Sequence, residues 1–170
     1  MTDTALFAES AKDFLSRDEV TSISGLDYMQ RIIDGSAPHP TVAKLMNFRV
    51  IAAEYGKVTF RAFPEHAQTN AFGSTQGGWY GMVLDSCMSM AVISGLRKGQ
   101  FQSTIEYKIN LIRAIPPGAE LTITGELTHI GRSTGVAVGE IRGTQDGKLY
   151  GQGSCTCFIQ GSPQDDAGRS

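Results

Sequence analysis

No apolar run in this 170-residue sequence is long enough to cross a bilayer, and its start, Met-Thr-Asp-Thr, lacks the basic-then-apolar pattern of a secretory signal. An excess of one charge is missing too. Fifteen Lys and Arg stand against seventeen Asp and Glu, giving a net charge of −2 and a pI near 5.9. That balance excludes a general nucleic-acid binder and leaves any anionic ligand to be met by local cations. Cysteine is scarce, and the count of three is odd, which fits a reducing compartment. Cys155 and Cys157 lie two apart on an expected strand and face one side as core packing, and no Cys/His spacing suits zinc. The expectation is a cytoplasmic protein without cofactor, metal, membrane or nucleic-acid partner.

With 41% hydrophobic and 19% charged residues, the chain suits one globular domain with a real core. Residues 4–17 carry an amphipathic pattern that predicts a helix. Leu26, Met29, Ile32 and Ile33 repeat at helical spacing that stops at Gly35, and Pro38 and Pro40 mark a loop. Phe48 to Ala53 and Lys57 to Phe63 form an expected hairpin around Gly56, because Val58, Phe60 and Ala62 alternate with Lys57, Thr59 and Arg61. A long apolar helix ends near Gly95. Four strand-like runs follow, Gln102 to Arg113, Leu121 to His129, Thr134 to Arg142 and Leu149 to Ile159. Pro116-Pro117-Gly118, Gly131 and Asp146-Gly147 supply the turns. A helix apolar on nearly all sides has to be enclosed, so the pattern predicts an α+β fold in which an antiparallel sheet curls around it. Residues 1–45 read as an N-terminal helical extension, 46–160 as the main domain and 161–170 as a polar, disordered tail.

The most informative segment runs from Asn70 to Asp85. Gly77 and Gly78 open the apolar helix, whose only acid is Asp85. A buried carboxylate costs several kcal/mol unless it is paired, hydrogen-bonded or protonated, which marks Asp85 as chemical. Amides at the helix N-terminus favour oxyanions, and acyl transfer uses that combination of oxyanion donor and carboxylate. On one helix Gly77 and Asp85 lie roughly 12 Å apart along the axis and about 80° apart around it, too far for both to reach one carbonyl. A two-fold dimer solves this by presenting the glycine of one chain to the aspartate of the other.

Asn70, Gly73, Gln76-Gly77-Gly78, Asp85 and Ser103 together resemble the ordered signature of the hotdog-fold acyl-CoA thioesterases of the phenylacetate-degradation type. The resemblance runs from about Asp27 to Ile159 and includes Gly131-Arg132-Ser133. It implies a hotdog fold, hydrolysis of an acyl-CoA thioester, and a homo-oligomer, either a dimer or a dimer of dimers. It further implies that Gly77 N–H binds the thioester oxygen and that Asp85 acts as nucleophile or general base. Ser103 would hydrogen-bond the carboxylate or the water, and Asn70 would orient the water or the thioester. Arg132 with Ser133, then Arg113 and the Arg97-Lys98 pair, would meet the phosphates of CoA, and Gly78 would line the site. Phe72, Trp79 and Tyr80 would line the acyl pocket or pack a dimer interface. One position departs from the signature: Gln76 stands where the family has His, so a neutral amide replaces a titratable imidazole. His66, four residues before Asn70, is a candidate substitute.

Two other classes are compatible with these residues, a hotdog hydratase or dehydratase acting on acyl-CoA and a non-catalytic acyl-CoA-binding module. Gln76 at the His position argues against the first, and the joint presence of Asp85, Ser103 and Asn70 against the second. Gly131-Arg132-Ser133-Thr134-Gly135 also fits the Gly-x-Ser-x-Gly nucleophile elbow, but a strand rather than a helix follows it and no His lies beyond Ser133.

Overall fold

The computed structural model describes residues 6–164. The chain forms α1 (Arg17–Thr21), α2 (Gly25–Asp34), α3 (Thr41–Met46), β1 (Phe48–Glu54), β2 (Lys57–Ala62), α4 (Gly77–Ser94), β3 (Phe101–Leu111), β4 (Leu121–Ile130), β5 (Thr134–Gly143) and β6 (Leu149–Gln160). All six strands join one antiparallel sheet in the order β1-β2-β4-β5-β6-β3, which leaves β1 and β3 as its edges. The sheet wraps α4, giving the expected α+β architecture of a hotdog fold with a helical N-terminal part.

The hairpin, the long helix and the four later strands form within a few residues of the ends read from the sequence. Gly56 turns the β1–β2 hairpin at φ 75°, and Gly35 ends α2 at φ 83°, both in the left-handed region that glycine occupies without penalty. Apolar side chains pave the inner face of the sheet, among them Val58, Phe60, Leu121, Ile123, Ala137 and Ile141, and pack against Val83, Leu84, Cys87, Met88, Ala91 and Val92 of α4.

α4 lies close on the sheet where glycines face it. Gly125 of β4 pairs with Gly139 of β5, which pairs with Gly153 of β6, where an added methyl carbon would instead meet Lys108 O of β3 at 2.7 Å. A methyl carbon added at Gly125 would fall 2.5 Å from the Cys87 carbonyl oxygen, and one at Gly139 would fall 2.7 Å from Met88 Cγ. Gly135 continues this close approach, 2.5 Å from Val92 Cγ1 by the same measure. The helix backbone therefore rests almost on the strand backbone.

The N-terminal segment corrects the sequence reading. Residues 6–16 are not helical, and residues 4 and 5 of the expected helix lie outside the described residues. The Asp13 carboxylate accepts from the amides of Glu9 at 2.9 Å and Ser10 at 2.7 Å, a local turn that competes with helix hydrogen bonding. Ser16 then caps the short α1 through a reciprocal box with Glu19. Upstream, Phe7 bridges to His39, and Ala8 N donates to His39 O at 2.9 Å while His39 N donates to Leu6 O at 2.8 Å. The loop expected at Pro38 and Pro40 contains α3, for which Pro40 is the entry residue. Residues 165–170 of the expected tail lie outside the described residues; just before them, Gln164 N donates to Lys98 O at 2.9 Å.

Candidate functional site

The N-terminus of α4 is built by a tight loop. Asn70 Oδ1 accepts from Phe72 N at 2.8 Å and Ser74 N at 3.3 Å, Gly73 takes φ 78°, and Thr69 and Thr75 close the loop as a bridge. Asn70 thus spends its carbonyl oxygen on shaping the loop. Phe72 stands at the tip, 94% exposed. Gln76 is the N-cap of α4, and its side-chain oxygen accepts the amide of Gly78. This leaves Gly77, the first helical residue, with an N–H outside the helix ladder and aimed along the positive end of the helix dipole.

Asp85 lies two turns further along α4, partly buried, with Oδ1 enclosed and without a hydrogen-bond partner among the described residues. Burial raises its pKa above the ordinary carboxylate value, and the hydroxyl of Thr104 on β3 pulls it back down. Behind Thr104 lie two buried thiols. Thr104 Oγ1 is 3.9 Å from Cys157 Sγ, which is 4.0 Å from Cys155 Sγ. The Cys157 thiol and burial push the Cys155 pKa up, while the Cys155 thiol pulls that of Cys157 down.

Ser103 is exposed on the opposite face of β3 and pairs with Phe158. The cause is a bulge. Counting back by twos from inward-facing Ile109 leads to Tyr107, Ile105 and Ser103, but the register shifts between Thr104 and Glu106, so Ile105 is extra and Thr104 turns inward. The hydroxyl beside Asp85 is therefore that of Thr104, which the sequence reading missed. Two adjacent hydroxyl residues at the start of β3 were the available signal, and the resemblance was carried onto the first of them.

The remaining candidates separate by their position along α4. At its N-terminal end stand Asn70, Phe72, Gln76, Gly77 and Gly78, close to the end of β3 and to Arg113. A methyl carbon at Gly77 would lie 3.2 Å from Leu111 Cδ2, and Tyr80 Oη donates to Arg113 O at 2.9 Å. Arg132 and Ser133 belong to the other end. A methyl carbon at Gly95 would lie 3.1 Å from Ile130 Cδ1, and Ile159 N donates to Ser133 O at 2.9 Å. Arg132, Ser133 and Arg113 are all exposed. One chain thus carries the free glycine amide at one end of α4, the candidate cation Arg132 at the other, and the carboxylate between them.

Trp79 and Tyr80 do not line a pocket. Trp79 Nε1 donates to Met46 O at 2.9 Å, and the Tyr80 hydroxyl donates to Arg113 O and accepts from Ile115 N at 2.8 Å, so both are satisfied core residues. His66 is exposed in a single 3-10 turn, His66–Gln68, with its carbonyl accepting from Thr69. α4 is also less enclosed than its composition predicts. Gln76, Gly78 and Met82 are exposed, and Asp85, Ser86 and Ser89 are partly so; these form one open stripe. Beside it β3 exposes Ile105, Tyr107 and Leu111. Among the described residues no three His, Cys, Asp or Glu side chains cluster to hold a metal ion, and no helix is long and apolar enough to cross a membrane.

Comparison with known proteins adds to this geometry. The thioesterase superfamily matches residues 72–150. A solved structure from Ralstonia eutropha, described as a thioesterase related to phenylacetic acid degradation, is 31% identical with a TM-score of 0.70. The match covers 77% of this chain and 98% of that one. A hypothetical thioesterase from Streptococcus pneumoniae, solved with coenzyme A, is 26% identical with a TM-score of 0.63 over 69% of this chain and 89% of its own. The Escherichia coli PaaI protein from the phenylacetic acid degradation operon, 21% identical, shares the fold with a TM-score of 0.71, over 83% of this chain and all of its own. No curated protein gives a significant match.

Proposed function

We propose an acyl-CoA as the substrate, from the premise that this chain belongs to the thioesterase superfamily and is a thioester hydrolase. The S. pneumoniae relative with coenzyme A supports that choice of thiol. Water adds to the thioester carbonyl, and the products are the free acid and CoA thiol. Gly77 N–H receives the negative charge that develops on the carbonyl oxygen, a contribution worth about 100- to 1000-fold in rate in comparable sites. Asp85, ionised, either attacks the carbonyl carbon and expels the CoA thiolate, leaving an anhydride that water then hydrolyses, or takes the proton from a water that attacks directly. Thr104 orients that carboxylate. Its bond to Asp85 also opposes burial and keeps a larger fraction ionised near neutrality. Gln76 fixes the first turn of α4 as its cap, and Arg132 with Ser133, assisted by Arg113, meets the phosphates of CoA.

The observation that carries this reading is the division of labour along α4: a free amide at its first residue, a desolvated carboxylate two turns on and Arg132 past its far end. A two-fold dimer along the open stripe of α4 and the exposed edge β3 joins the halves of two chains into two equivalent sites. The apolar side chains Met82, Ile105, Tyr107 and Leu111 on that side support it.

Complementation tests the reading. Gly77→Pro deletes the amide at a position where proline is well tolerated, the first residue of a helix. Asp85→Ala deletes the carboxylate. Each variant alone is expected to be inactive in thiol release from acyl-CoAs. An equal mixture, unfolded and refolded together, regains about a quarter of wild-type activity, because half the dimers are mixed and each holds one intact site. No recovery from a mixture that demonstrably exchanges subunits would rule out the shared site, and absence of thiol release by the wild type would rule out the substrate.

A further inference from the structure

We propose that Tyr107 sets the size of the acyl group that reaches Asp85. The inference rests on the thioesterase reading above and adds to it the residue that selects among substrates.

α4 presents one slanted line of positions to β3, Gly77, Gly81 and Asp85, each one turn from the last. β3 answers with Leu111, Tyr107 and Thr104. A methyl carbon at Gly77 would lie 3.2 Å from Leu111 Cδ2, and one at Gly81 would lie 3.4 Å from both Cε2 and Oη of Tyr107. Thr104 meets Asp85. Two of the three helix positions have no side chain, so the helix side of this contact is bare backbone. The space over Gly81, one turn before Asp85, is filled from the β3 side by the tip of the Tyr107 ring, with Ile109 Cδ1 beside it, 3.5 Å from the same added carbon.

A contrast with Tyr80 separates this role from plain packing. Tyr80 is 2% exposed and its hydroxyl both donates and accepts within the chain. Tyr107 faces inward in step with Ile109, opposite Cys155, yet remains 48% exposed. Its ring tip meets the helix at Gly81. An acyl group entering beside Asp85 meets that ring, and a bulky group needs the space the ring occupies.

The test is the kcat/KM for thiol release over straight-chain acyl-CoAs from acetyl to decanoyl, read as the ratio of long to short. Tyr107→Ala is expected to raise that ratio about tenfold or more, in line with the discrimination a pocket makes per added methylene or two. Tyr107→Trp lowers it, and Tyr107→Phe, which keeps the ring, retains the wild-type preference. A general structural defect would lower all substrates together and leave the ratio alone. Should Tyr107→Ala fail to fold, Tyr107→Leu carries the same expectation. Unchanged ratios in the Ala or Leu and the Trp variants, or a shift in Tyr107→Phe as large as in Tyr107→Ala, would overturn the proposal while wild-type hydrolysis still upheld the thioesterase. No hydrolysis by the wild type would remove both.

Discussion

Thr104 faces Asp85 from β3, and its own neighbour Ser103 faces away. The two hydroxyls are adjacent in sequence and on opposite faces of the sheet. Thr104→Ala is therefore expected to lower kcat by about 10- to 100-fold, since a hydrogen bond to a charged group is worth about 1.5–3 kcal/mol. Ser103→Ala should change kcat less than about twofold, because the residue lies on the far face. Steady-state thiol release by both variants checks this, and the reverse order would refute the orientation of β3 at the bulge.

The acid limb of the pH profile follows from Asp85. Its active form is the carboxylate, and burial raises its pKa, so activity falls on acidification at a higher pH than for an ordinary carboxylate. Thr104→Val removes the bond that holds this pKa down and moves the limb to still higher pH. Measuring kcat/KM from pH 4 to pH 9 for both proteins tests the direction.

The same shift has a cost in stability. A group whose folded pKa lies above the unfolded value of 3.8 favours folding in its protonated form, and that benefit is lost as pH rises through the folded pKa. At neutral pH the wild type carries the burden of the buried charge. Asp85→Asn, of the same shape without the charge, is expected to raise Tm at pH 7 while lowering turnover by about 100- to 10000-fold. Calorimetry beside the thiol assay decides it; near-normal turnover would displace Asp85 from its role.

His39 governs the N-terminal segment in a different pH range. Its Nε2 accepts from Val50 N at 3.0 Å and its Nδ1 lies 3.2 Å from the Leu6 carbonyl, an arrangement that needs a neutral ring with the proton on Nδ1. Burial lowers its pKa below 6.5, with the Leu6 carbonyl opposing. The unfolded chain therefore binds this proton first, so stability falls as pH drops below 6.5 and levels off beneath the folded pKa. His39→Ala should cost about 1–3 kcal/mol at pH 8, by orphaning the Val50 amide, and should flatten this dependence. Urea unfolding at several pH values from 5 to 8 is the measurement.

Much of this was legible in the chain itself. Alternation in Val58-Thr59-Phe60-Arg61-Ala62, the two-residue period of the later strands and the unbroken apolar helix between Gly77 and Gly95 predict the sheet and its central helix, because each pattern fits a single burial solution. Gly77 and Asp85 could be singled out because a glycine pair and a lone acid stand out in an apolar helix, and Gln76 through the resemblance alone. What escaped was set by geometry that leaves no mark on composition. The bulge at Ile105 exchanged Thr104 for Ser103. The Asp13 side chain stopped an amphipathic pattern from becoming a helix, and the hydrogen bonds of Trp79 and Tyr80 turned two candidate pocket residues into core. The glycine row did leave a trace, since Gly125, Gly139 and Gly153 recur every fourteen residues.

The row also predicts an order of tolerance. Gly125→Ala meets the Cys87 carbonyl, which cannot move without the helix, whereas Gly139→Ala meets side chains alone, those of Met88 and Leu84. Gly125→Ala is expected to cost about 1–3 kcal/mol and Gly139→Ala less. Thermal melts of the two variants rank them.

With the helix lying so close to the strands, residue 88 and residue 139 can each change only in step with the other, as can residues 92 and 135, while residue 125 has no compensating partner at all. Lineages descended from this protein would then diversify freely at the edges of the sheet yet keep its spacing from the helix constant, and new substrate ranges would arise by altering β3 rather than by reshaping the core.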